Sequence, residues 1–199
     1  MFKFRRKNMT GCTHFTHKEI RGFEEDWKSI RPNVIQAEIR DKDLKIDHRV
    51  RQAIESRDHD FYKSKLNEDV FWSLAWHKIN DSRLLTPDDA PRTVQDVAKR
   101  VIKKYDFEQL SQDLGLSSCM HNPEWFSDCC KIDSCFDYNK FGIIWLVKAN
   151  CDEKYEAPPS TKYYIYDGCH RSLVLGKRLL KEKIKYEPIE VVLINPRPK

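Results

Sequence analysis

Tyr163-Tyr164-Ile165-Tyr166-Asp167-Gly168-Cys169-His170-Arg171 is followed at once by an apolar-periodic run, residues 172–180. A β-prone segment ends in Asp-Gly and passes into a helix whose first turn carries Cys, His and Arg. Glycine permits the tight turn, the helix start offers N–H groups that no intrahelical carbonyl uses, and the guanidinium adds a fork of donors. Together these make a corner suited to an anion, phosphate above all.

Working outward, residues 163–166 read as a strand, 169–183 as the helix after the corner and 189–194 as a last strand, closed by Pro196 and Pro198. Upstream, the β-prone run 141–147 is a buried strand, and 148–161 is a polar loop with Pro158-Pro159. Residues 93–105 form a strong amphipathic helix, with Val94, Val97, Ala98, Val101 and Ile102 at i, i+3, i+4, i+7 and i+8. A second helix, 106–114, stops at Gly115, and 76–85 reads as a strand. Residues 116–140 read as a Cys-rich, irregular insertion. Farther back, 47–57 is a helix capped by Asp47, with Val50 and Ile54 on one face, and 19–30 reads as a short helix ending before Pro32. Phe71, Trp72, Leu74, Ala75 and Trp76 form an aromatic-rich packing layer. Interleaved strands and helices imply an α/β (α+β) protein: a mixed sheet with flanking helices over 76–199, and a mostly helical extension over 1–75.

Composition sets the outer limits. At 40% hydrophobic and 34% charged residues the 199-residue chain is globular, too aromatic for a disordered one. No apolar run approaches the roughly 18 residues that cross a bilayer. The basic start, Lys3 to Lys7, leads into polar residues instead of a signal-peptide apolar region, so no membrane role and a cytoplasmic location are expected. Seven cysteines at irregular spacings do not make a secreted disulfide framework. The net charge of +5 is uneven, with 9 basic against 4 acidic residues over 160–199, beside the corner. That bias suits an anionic ligand and falls short of a basic tail that holds nucleic acid by charge alone.

Tyr-Asp-Gly-Cys-His-Arg after a strand, opening a helix that leads to a further strand, resembles the ParB/sulfiredoxin superfamily. Sulfiredoxins carry Phe-Gly-Gly-Cys-His-Arg, and the related free-serine kinases and many ParB-like proteins carry Asp-Gly-x-His-Arg. Upstream, Arg83 is followed eight residues later by Pro91, with Val94-Gln95 where the family has its Val-Gln pair. The resemblance covers roughly residues 76–195. It implies a nucleotide, ATP or ADP with Mg²⁺, held at the helix start, and phosphoryl transfer to an acceptor or hydrolysis. On that basis Gly168, Cys169, His170 and Arg171 hold phosphates and Arg83 neutralises the transferring group. Asp167, Cys169, His170 and Arg83 are then the candidate catalytic residues, Cys169 at the position of the sulfiredoxin nucleophile. The chain departs from sulfiredoxin at Thr93, Asp96 and Arg100, where that family presents a lysine and two hydroxyls, at Asp167, which replaces a glycine, and in the 116–140 insertion.

The residues themselves leave several roles open. Asp167 is placed to bind Mg²⁺ or accept a proton from an acceptor hydroxyl, and equally to cap the helix or pair with Arg171. Cys169 is either a thiolate favoured by the helix start and Arg171 or a small buried residue. Cys119, His121, Cys129, Cys130 and Cys135 have the composition of a zinc site without a clean Cys-x-x-Cys pair, and Cys12, His14 and His17 form a weaker set. Lys177, Arg178, Lys181, Lys183 and Lys185 are either a solvated helix face or a patch for nucleic-acid phosphates, the second reading being a ParB-like nucleic-acid-binding protein or nuclease. Against it, no helix-turn-helix follows the motif.

Overall fold

The computed structural model describes residues 15–21, 25–42, 44–76, 92–102, 106–112, 123–150, 157 and 161–197. Five strands form one mixed sheet: β1 (Lys28–Ile30), β2 (His59–Leu66), β3 (Ile144–Lys148), β4 (Tyr163–Asp167) and β5 (Ile189–Pro196). Their order is β1-β2-β5-β3-β4. The β3–β5 pair is parallel and the other three pairs are antiparallel. The helices are α1 (His17–Arg21), α2 (Pro32–Asp41), α3 (His48–Glu55), α4 (Glu68–Ser73), α5 (Val94–Ile102), α6 (Phe107–Gln112), α7 (Pro123–Ser134) and α8 (Cys169–Lys177).

The sheet is buried on both faces, which explains the unbroken apolar run of β3. One face presents Ile144, Leu146, Tyr163, Ile165, Val191 and Leu193 to Val94, Val97, Ala98 and Val101 of α5 and to Leu173 and Val174 of α8. The other presents Trp145, Val147, Tyr164, Val192 and Ile194 to Ile35 of α2 and to Val50, Ala53 and Ile54 of α3. Helix α3 begins as its sequence requires: the Asp47 carboxylate accepts the Arg49 N–H at 2.7 Å. Helix α5 begins with a reciprocal cap in which the Thr93 hydroxyl accepts the Asp96 N–H at 3.2 Å and Asp96 accepts from Thr93. Segment 74–76 tapes the outer edge of β4, with Ala75 N–H on Tyr163 C=O and Ile165 N–H on Ala75 C=O.

Four expectations need correction. The described part of residues 1–75 does not stand apart as a helical extension, because beside α1 to α4 it supplies β1 and β2 to the same sheet as β3, β4 and β5. Strand β2 pairs along its whole length with β5, from His59–Pro196 to Leu66–Ile189. The helix expected over 19–30 is the short α1, and Lys28–Ile30 is an edge strand that turns Ile30 toward the α2/α3 layer. The 116–140 segment is not wholly irregular: α7 spans Pro123–Ser134 and buries Phe126 and Cys129 in the core. The helix after the corner is α-helical only to Lys177, then widens to a π turn over Arg178–Glu182 and ends at Lys183 in the left-handed region, φ +53°. Of the strand expected over 76–85, all but Trp76 lies outside the described residues. No helix among the described residues is long and apolar enough to cross a membrane.

Candidate functional site

The Asp167–Arg171 corner sits where β4 hands over to α8. Gly168 is the helix N-cap at φ +113°. A Cβ there would stand 3.1 Å from Ile144 Cγ1, 3.3 Å from Ile144 Cα and 3.3 Å from Arg171 Nη2, so both conformation and space call for glycine. The first intrahelical bond runs from Ser172 N–H to Gly168 C=O at 2.9 Å. The amides of Cys169, His170 and Arg171 therefore lie ahead of the helical ladder, at the positive end of the helix dipole.

Each side chain of the corner has a different fate. Cys169 is 5% exposed and belongs to the core. This is the environment of a small apolar residue, and a thiol so enclosed is poorly placed to attack a substrate. The His170 ring stacks on Trp125 of α7, centroids 4.1 Å apart and planes 27° apart. Trp76 donates from Nε1 to the Ser172 hydroxyl at 2.9 Å, and that hydroxyl donates to Cys169 C=O at 2.8 Å, which fastens the first turn of α8 from below.

Arg171 folds back along the corner. Its Nη2 lies 3.6 Å from Asp167 Oδ2, an ion pair longer than a hydrogen bond, and its side chain is 17% exposed. Nε is buried with no hydrogen-bond partner among the described residues. Burial lowers the guanidinium's pKa, with the Asp167 charge opposing the shift. Nη1 abuts Gly142, 3.5 Å from where a Cβ would stand on that residue, whose φ is +80°. Asp167 Oδ2 also accepts the Asp47 N–H at 3.2 Å. The start of α3 is thus tied to the start of α8. Asp47 is held in turn by Arg49, whose Nε donates to it at 2.9 Å and whose guanidinium lies 5.1 Å from the Tyr166 ring centre. Burial pushes the Asp47 carboxyl up, but the Arg49 hydrogen bonds and charge outweigh it and leave the pKa below the usual value.

Gly168, Arg171 and Asp167 are thus brought together, His170 is turned to Trp125 and Cys169 is turned inward. Arg83 and Pro91 lie outside the described residues, as do Cys12, His14, Cys119 and His121. Cys129 is buried, Cys130 half-buried and Cys135 exposed, and no cluster of three metal-ligating side chains occurs among the described residues. Thr93 and Asp96 cap α5. Lys177 and Arg178, read as a possible nucleic-acid patch, are engaged by Asp133 of α7. Asp47, Arg49, Gly142 and Trp125 carried no local signal of belonging to the corner, because each comes from a distant element. No protein-family model matches this chain, and neither a curated protein nor a solved structure matches it significantly.

Proposed function

We propose that the chain binds the phosphates of a nucleotide, ATP or ADP, at the 168–171 corner and transfers or hydrolyses a phosphoryl group there. The observation that carries the reading is Arg171: a largely buried guanidinium that donates no hydrogen bond among the described residues, set at a helix start behind a glycine. Buried donors are almost always satisfied, and a phosphate would supply the missing acceptors in the geometry that a guanidinium fork prefers. Gly168 supplies the left-handed turn that brings the helix start against Arg171, and a phosphate at the corner would meet the 169–171 amides at the positive end of the helix dipole. Phosphoryl transfer asks mainly for such positioning and charge neutralisation, so the enclosed Cys169 is no obstacle.

The residues present also fit a magnesium ion. Among the described residues Asp167 uses only Oδ2, and Mg²⁺ bound to nucleotides typically takes one or two carboxylates plus phosphate oxygens. When bound it would offset phosphate charge. Asp167 Oδ1 would hold it or receive the acceptor's proton, while His170, steadied by Trp125, would orient a phosphate oxygen.

Calorimetric titration with MgATP and MgADP tests the reading. Wild type should bind one of them, and Arg171→Ala should bind it at least about tenfold more weakly. Equal affinity in the two proteins overturns it.

A further inference from the structure

At the same end of the sheet as the corner, a cleft of about 560 Å³ opens among the end of α2, the 139–142 segment and the start of β5. That volume lies within the range of small-molecule sites. Its charged lining is Lys42, Lys65, Lys140, Glu187 and Glu190.

These charges are not equivalent. Lys42 lies 2.7 Å from Glu38 and 3.0 Å from Glu190, and Lys63 contacts the same two carboxylates at 2.6 and 3.3 Å. That quartet is balanced, two positive against two negative, and it holds both carboxyl pKa values below normal against the upward push of burial. Lys65 stands directly opposite Glu190 in the β2–β5 register, where a cross-strand ion pair would ordinarily form. Glu190 is already taken by Lys42 and Lys63, so the Lys65 ammonium makes no ion pair or hydrogen bond among the described residues; nor does the Lys140 ammonium. Two uncompensated ammonium groups therefore line one cleft, with Glu187 the single acid there outside the quartet.

The third cation is behind the wall. Gly142 lines the cleft, and Arg171 Nη1 lies against it on the side where a side chain would project. With glycine at 142, no side chain of that residue screens the guanidinium from the cleft.

We infer that this cleft is a binding site for a small molecule bearing an oxyanion, a phosphate ester or a carboxylate. Lys65 and Lys140 hold the anionic group, and Arg171 adds its field through the Gly142 wall. The site is separate from the 168–171 amides, and its anchors, Lys65 and Lys140, lie on β2 and ahead of β3.

Backbone-amide NMR titrations with pyrophosphate and with malonate test the inference. At least one probe should produce saturable shifts at residues 139–142 and 189–190. In the Lys65→Gln/Lys140→Gln double variant its affinity should fall about tenfold or more, while Lys28→Gln, on the same sheet but outside the cleft, changes it less than about twofold. Response to pyrophosphate alone assigns a phosphate ligand, and response to malonate alone a carboxylate. Absence of saturable shifts at these amides, an unchanged affinity in the double variant, or an equal loss in Lys28→Gln overturns the inference. Titrating wild type and the double variant with MgATP keeps the two proposals apart. Cleft binding without nucleotide binding leaves the inference standing and removes the nucleotide reading, and the converse removes only the inference.

Discussion

Arg171 and Arg178 lie seven positions apart, at the two ends of one helical segment, and are similarly buried, at 17% and 23% side-chain exposure. Arg178 is fully engaged. Its Nε donates to Asp133 Oδ1 at 2.8 Å, Nη1 to Glu182 Oε2 at 3.0 Å and Nη2 to Asp133 C=O, and its guanidinium lies 4.8 Å from the Phe136 ring centre. Lys177 joins the same carboxylate. Arg171 has one carboxylate at 3.6 Å and no hydrogen bond among the described residues. Burial is alike, so burial does not separate them. Satisfaction does: the Arg178 end is a clamp with its acceptors in place, and the Arg171 guanidinium has no hydrogen-bond acceptor among the described residues.

The contrast breaks most sharply at Asp133. Asp133→Ala removes the shared acceptor and leaves Lys177 and Arg178 uncompensated, and it should lower unfolding stability by about 3–5 kcal/mol in denaturant titrations. A loss under about 1 kcal/mol would mean that the clamp is not what holds α7 to α8. At the other end, Gly168→Ala forces a Cβ against Ile144 at a left-handed φ. It should cost about 1–3 kcal/mol and abolish nucleotide binding, and a variant that melts and binds like wild type would refute the close fit of the corner.

Asp47→Ala should cost about 1 kcal/mol through the lost cap of α3, with amide shifts reaching Asp167 and Gly168. Because the folded Asp47 pKa is depressed, its contribution is complete above the unfolded value near 3.9 and disappears as pH falls through the folded value. The stabilities of wild type and variant should therefore converge under acid conditions. A difference that grows on acidification contradicts the arrangement. Arg171→Met should change stability least, by less than about 1 kcal/mol in either direction, since it trades a desolvated, poorly partnered charge for an apolar chain. A loss like that of Asp133→Ala would make the corner a second structural clamp.

Locally encoded features were legible from residue order. Helix α3 with its Asp47 cap, the stripe of α5, strands β3 to β5 and the Gly168 turn each announce themselves within a few residues. The recruitment of β1 and β2 was not legible. β2 carries Lys63 and Lys65 among its apolar residues, and that pattern makes sense only once Glu38 and Glu190 stand across from it. Helix α7 was hidden for a related reason: Cys129 serves as a core apolar residue, and a cluster of cysteines reads first as chemistry.

The same boundary runs through the site. The order of residues was enough to specify a strand, a glycine turn and a helix start with an arginine on it, because backbone geometry and helix ends are properties of neighbours in the chain. Tertiary structure alone left the Arg171 guanidinium without a hydrogen-bond acceptor among the described residues, set Gly142 between it and a cleft, turned His170 onto Trp125, buried Cys169 and spent Lys177 and Arg178 on Asp133. Whether these charged side chains are satisfied depends on partners far along the chain, such as Asp133, 45 residues from Arg178, and Asp47, 120 from Asp167. Those distances close only when the sheet forms.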